Sequence, residues 1–97
     1  MNNQPTLSPL TKQYLVAIFE PELRDEAVDY LINDCGYAQD ISSTEKGIER
    51  IRCAALKKSR GSIEELVNAI ALAQLDWRDL LVTAGFSNPE DHLTWKP

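Results

Sequence analysis

The chain has 97 residues, 43% of them apolar and only 7% aromatic, which suffices for one hydrophobic core and no more. With 15 acidic and 10 basic side chains its net charge is −5, a balance that favours solubility and opposes non-specific attraction to phosphate or anionic lipid. The amino-terminal stretch holds no apolar signal core, and no later segment approaches the ~18 uninterrupted apolar residues that span a bilayer, so a cytoplasmic protein is expected.

Residues 1–7 read as a flexible arm, and residues 8–97 as a single helical domain. Ser8 followed by Pro9 is an N-cap with proline at the first helical position, and the helix it opens must stop by Glu20 because Pro21 biases its predecessor out of the α region. A second helix begins at Pro21, with Leu23, Ala27, Tyr30 and Leu31 on one face and Glu22, Asp25, Glu26 and Asp29 on another. Gly36 fits a left-handed terminator, with Tyr37 placed to pack on Ile32. Ser42 with Glu45 forms a capping box for a third helix that turns Ile48, Ile51, Ala55 and Leu56 inward and ends at Arg60 before Gly61.

Ser62 with Glu65 repeats the device for a fourth helix, whose core stripe reads as Ile63, Leu66, Val67 and Ile70. Ala69, Leu72 and Ala73 lie around from that stripe, so a second copy of the chain, or a fifth helix folding back, is expected to cover them. Asp76 reads as the cap of that fifth helix, with Leu75 and Leu80 as a hydrophobic staple, and Gly85 as its terminator with Leu81 and Phe86 as the apolar pair. Asn88-Pro89 starts a last turn carrying His92, Leu93 and Trp95. The expected fold is all-α, a compact bundle of four to five short helices.

The sharpest charge pattern lies on the third helix. At 100° per residue Lys46, Arg50, Lys57 and Arg60 fall within an arc of about 80°, opposite the Ile48, Ile51 and Ala55 stripe and with Cys53 among them. Between Lys46 and Arg60 six of the ten basic residues oppose a single acid, Glu49. This arc reads as a docking surface for an acidic partner; it also fits a solvated face steadied by acids of the second helix. The third to fifth helices have the outline of a helix-turn-helix DNA reader, yet the reading helix would begin Asp76-Trp77-Arg78-Asp79, with two acids where phosphate and base contacts are needed. Nucleic acid is therefore not the expected partner, and a nucleic-acid-associated regulator using the basic face of the third helix is the alternative.

Catalysis has little support. His92, the only histidine, reads as a surface residue of the last turn, and no nucleophile motif or glycine-rich phosphate loop accompanies it. Cys35 and Cys53 have neither C-x-x-C spacing nor a histidine cluster, so buried free thiols are expected and no metal or cofactor is called for. Trp77 and Trp95 each fit two roles, a lid over a small core or an anchor at an interface.

From Leu75 to Phe86 the chain reads LDWRDLLVTAGF, followed by His92 and Trp95. This segment resembles a group of small bacterial helical proteins that share a DWRDLL…AGF ending, and the resemblance extends back to Ile48 and fades toward the amino terminus. It implies a bacterial cytoplasmic helical domain and carries over no catalytic or binding residue. The expectation is a non-catalytic protein-interaction or regulatory module, homo-oligomeric through Ala69, Leu72 and Ala73; a small-molecule enzyme ranks below it.

Overall fold

Ser8, Ser62 and Asp76 cap helices as their neighbours require. A computed structural model, which describes residues 7–35 and 45–97, contains α1 (Pro9–Ile18), α2 (Pro21–Asp34), α3 (Glu45–Ser59), α4 (Ile63–Ala84) and a 3-10 turn at Asp91–Leu93. The chain is an all-α bundle of four helices, with no strand among the described residues. The Gly36–Tyr37 ending and the Ser42 cap lie outside the described residues. Ser8 Oγ accepts the Thr11 N–H at 3.1 Å and Ser62 Oγ the Glu65 N–H at 3.3 Å. The second capping box is only half made, since the Ser62 N–H bonds the Ser59 carbonyl and the Glu65 carboxylate takes the Asn68 amide. Leu7, expected in the arm, is instead buried with the core.

Asp76 interrupts α4 with an extended backbone (φ −157, ψ 88), and its Oδ1 accepts the Asp79 N–H at 3.3 Å. The expected fifth helix is thus a second limb of α4, residues 77–84, capped where the sequence placed the cap. The staple is not made: Leu80 is buried while Leu75 is 85% exposed. Asp76→Ala should lower stability by about 1 kcal/mol in urea melts, the ordinary worth of an N-cap. The second limb ends as expected at Gly85 (φ 81), where the Phe86 N–H reaches the Leu81 carbonyl at 2.8 Å and the Gly85 N–H that of Val82 at 3.1 Å, the paired bonds of a Schellman ending.

The centre of the bundle is α3. Ile51, Arg52, Cys53, Ala54, Ala55 and Leu56 are all buried, so the helix has no solvated side over this stretch. Its axis is covered by α4, by α1, and at its amino-terminal end by the terminal turn. The buried stripe of α4 is Leu66, Ala69, Ile70 and Ala73, at the i, i+3, i+4, i+7 spacing of a single helix face, whereas Val67 is 38% exposed. This corrects the expected oligomer face. Ala69 and Ala73 are buried within the single chain and Leu72 packs half-buried against the core, because α4 packs along α3 with small side chains on its buried face.

Three helix ends are closed by arginines. Arg24 donates from Nε to the Phe19 carbonyl and from Nη2 to that of Val16, both at 3.0 Å, at the end of α1. Arg52, only 7% exposed, donates from Nε to the Leu31 and Cys35 carbonyls, each at 3.2 Å, at the end of α2. A cation at a helix C-terminus meets both unsatisfied carbonyls and the negative end of the dipole. The third such clamp, Arg50 at the end of α4, shapes the site described below.

The corner between α3 and α4 is set by two left-handed residues, Arg60 (φ 52) and Gly61 (φ 83). A Cβ on Gly61 would lie 2.7 Å from the Ile18 carbonyl oxygen, at the end of α1. Gly61→Ala should therefore cost about 2 kcal/mol, combining left-handed strain with displacement of α1. A thermal melt compared with Arg60→Ala, which meets no such contact, checks this.

Candidate functional site

Residues after Gly85 cannot form a core of their own, and the bundle holds them by side chains from α1 and α3. Arg50 donates from Nε to the Phe86 carbonyl at 2.9 Å and from Nη2 to the Ser87 carbonyl at 2.6 Å. The Lys57 ammonium stands 4.8 Å from the centre of the Phe86 ring. Tyr14 of α1 donates its hydroxyl to the His92 carbonyl at 2.6 Å, and its ring meets Trp95 edge-on with centroids 4.7 Å apart. Trp95 also meets Phe86 edge-on at 5.9 Å.

His92 is buried, at 2% exposure, which corrects its expected place on the surface. Its Nε2 lies 3.0 Å from Glu49 Oε1. A carboxylate can only accept, so Nε2 carries a proton, and Nδ1 is left buried with no partner. Glu49 is the one acid between Lys46 and Arg60, and it holds the only histidine of the chain.

Docking of this segment leaves a cleft of about 350 Å³ between α3, the second limb of α4 and the terminal turn. Ile51, Trp77, Leu81, Pro89 and Leu93 form its apolar walls, and Glu49, Arg50, Glu90 and His92 supply its polar atoms. It has the size and make-up of a small binding pocket, mostly apolar with a few convergent polar groups. Trp77 is half-buried here, with the Arg78 guanidinium 5.2 Å from its ring centre. Among the described residues no serine, threonine or cysteine lines the cleft.

The residues singled out by sequence are thus divided. Arg50 and Lys57 are turned to their own chain, holding the segment after Gly85, and Arg60 is exposed at the end of α3. The Lys46 side chain lies outside the described residues. Cys53, expected among the basic residues on the outer arc, is fully buried under α1, where its Sγ is 3.8 Å from Thr11 Oγ1. The basic arc is therefore no continuous open surface. Among the described residues the only pair at ion-pair distance is Glu49 with His92, so no acid of α2 pairs with Arg50, Lys57, Lys58 or Arg60. What remains open is a shallow groove lined by Lys57, Lys58, Arg60 and Glu65.

Of the two tryptophans, Trp95 packs as a lid on the core and Trp77 lines the cleft. Glu49, Tyr14, Pro89, Glu90 and Leu93 contribute to the site without having been singled out by the sequence, and His92 was singled out only as a surface residue. Both cysteines are free and buried. Among the described residues no three His, Cys, Asp or Glu side chains cluster as metal ligands, and no helix is long and apolar enough to cross a membrane. Compared with known protein families, curated proteins and solved structures, the chain matches none.

Proposed function

We propose that the protein is a non-catalytic interaction or regulatory module of the bacterial cytoplasm, and that it receives its partner in the cleft between α3, the second limb of α4 and the terminal turn. The observation that carries this reading is the cleft itself, about 350 Å³ with five apolar walls and a half-buried tryptophan, held open by a dedicated set of clamps on the carboxy-terminal segment. Tryptophan in a partly desolvated pocket is the commonest kind of energetic anchor at protein interfaces. The resemblance of residues 75–86 to small bacterial helical proteins supports the cellular setting.

A photo-crosslinking amino acid in place of Leu93, 52% exposed at the rim of the cleft, tests the reading in the native host. One discrete protein adduct is expected from this position and none from Glu64 on the outer face of α4. Adducts with a second copy of the chain would make the same cleft a self-association site. Equal or absent labelling from both positions overturns the reading.

A second reading rests on Glu49 and His92. A carboxylate and an imidazole 3.0 Å apart at the wall of a cleft are also the parts of a proton-transfer catalyst. Turnover of any substrate that Glu49→Gln abolishes, with His92 still buried by NMR, would favour it.

A further inference from the structure

Three polar side chains of the cleft, besides Arg50, keep an atom without a hydrogen-bond partner. Glu49 binds His92 through Oε1, and its second oxygen has no hydrogen-bond partner among the described residues. The Glu90 carboxylate also has none, and it is exposed at the mouth. His92 adds a buried ring nitrogen, Nδ1, without a partner. On the opposing side Arg50 has turned Nε and Nη2 to the carbonyls of Phe86 and Ser87, so its charge faces the negative end of α4. The cleft therefore offers two carboxylates to an occupant, inside apolar walls and beside an indole. That indole already takes a guanidinium on one of its faces, at 5.2 Å from Arg78.

We propose that the cleft binds the arginine side chain of a basic segment of a partner protein, the guanidinium bonded to Glu49 and Glu90 and its stem laid along Trp77 and Leu93. This rests on the cleft being the partner site and gives the partner its chemistry. Arginine suits the acceptors better than lysine, because a planar fork of donors can reach two carboxylates at once. The net charge of −5 steers a basic segment toward this chain and an acidic one away. The sign is opposite to the acidic partner that the basic arc of α3 suggests, because that arc is largely spent inside the fold.

The test uses the full chain and a capped five-residue peptide with one arginine between leucines, compared with the same peptide carrying citrulline, which keeps the shape and loses the charge. Two-dimensional NMR titration should shift Gly47, the Trp77 indole and Leu93, and the arginine peptide should bind about tenfold tighter at low salt. The advantage should shrink as salt is raised. Glu90→Gln, at an exposed position without a hydrogen-bond partner, should weaken arginine binding several-fold and leave both citrulline binding and the melting curve unchanged. Equal affinity for the two peptides, shifts confined to other faces, or no shifts at millimolar peptide each overturn the proposal. Such a result alongside a discrete adduct from the Leu93 position would remove the arginine chemistry and leave the partner site standing.

Discussion

Phe86→Ala is expected to cost about 3–5 kcal/mol, the range for emptying a buried aromatic site. The ring is 2% exposed and stands at the meeting point of three supports: Trp95 at 5.9 Å between centroids, His92 at 6.4 Å, and the Lys57 ammonium at 4.8 Å. Truncation removes the apolar half of the Schellman ending and leaves Trp95 and His92 facing a void. The backbone bonds of Gly85 and Phe86, together with the Arg50 clamp, survive the substitution, so the loss reports packing. Phe86→Leu, which refills part of the volume, should recover more than half of it. Urea melts measure both, and the emission of Trp77 provides a second readout, because the segment that Phe86 anchors supplies Pro89 and Leu93 to the cleft. A variant as stable as the wild type would show that the carboxy-terminal segment is not part of the cooperative fold.

The elements were legible where a local rule acts. Ser8-Pro9, Ser62, Asp76 and Gly85 each do what their type does at a helix end, because capping is settled within four residues of chain. Facing was harder to read. The α4 stripe was assigned to the larger residues, Ile63 and Val67, whereas the buried face runs through Ala69 and Ala73; alanine carries little hydrophobic signal yet marks where two helices come closest. The same weakness hid the central place of α3. Its middle turn is Cys53, Ala54 and Ala55 beside a buried arginine, and the charges that flank it dominated the pattern.

The site lay further out of reach, since its parts are distant in sequence. Glu49 and His92 are 43 residues apart and Tyr14 and His92 78. One composition signal pointed there: the single acid between Lys46 and Arg60 and the single histidine of the chain are the two that pair. The basic residues of α3 read as one outward arc, whereas Arg50 and Lys57 turn to their own chain and Cys53 among them is buried. Arg50, with Arg24 and Arg52, serves helix C-termini, where the carbonyl ends of the chain's own helices are the anionic partner. With Arg50 bonded to the Phe86 and Ser87 carbonyls, the Glu49 and Glu90 carboxylates are the basis of the arginine-bearing partner proposed above.

Raising the pH from 8 to 10 is expected to remove about 2–3 kcal/mol of stability, through the two thiols. Burial pushes Cys35 from 9.0 up to about 12, against the opposing pull of Arg52; burial likewise pushes Cys53 from 9.0 up to about 12, against its hydrogen bond to Thr11 and aided by the charge of Glu49. The exposures, 1% and 0%, leave neither thiol a route to water. A thiol whose folded value lies above its unfolded one keeps its proton in the native state while the unfolded chain loses its own. The contribution is complete below the unfolded value near 9, falls by about 1.4 kcal/mol per pH unit per thiol above it, and levels off near 12. Tyr14, whose phenol is raised first by burial and then by the charges of Cys53 and Glu49, bends the curve the same way at the upper end. Denaturant melts at pH 8, 9 and 10 measure the slope, and the Cys35→Ala, Cys53→Ala double variant separates the thiols from every other titrating group, since its curve should be nearly flat to pH 9.5. Native thiol labelling at pH 8 should be slow at both sites and rapid after unfolding. An equal slope in the wild type and the double variant would assign the alkaline loss elsewhere, and rapid native labelling of Cys53 would place α1 off the outer face of α3.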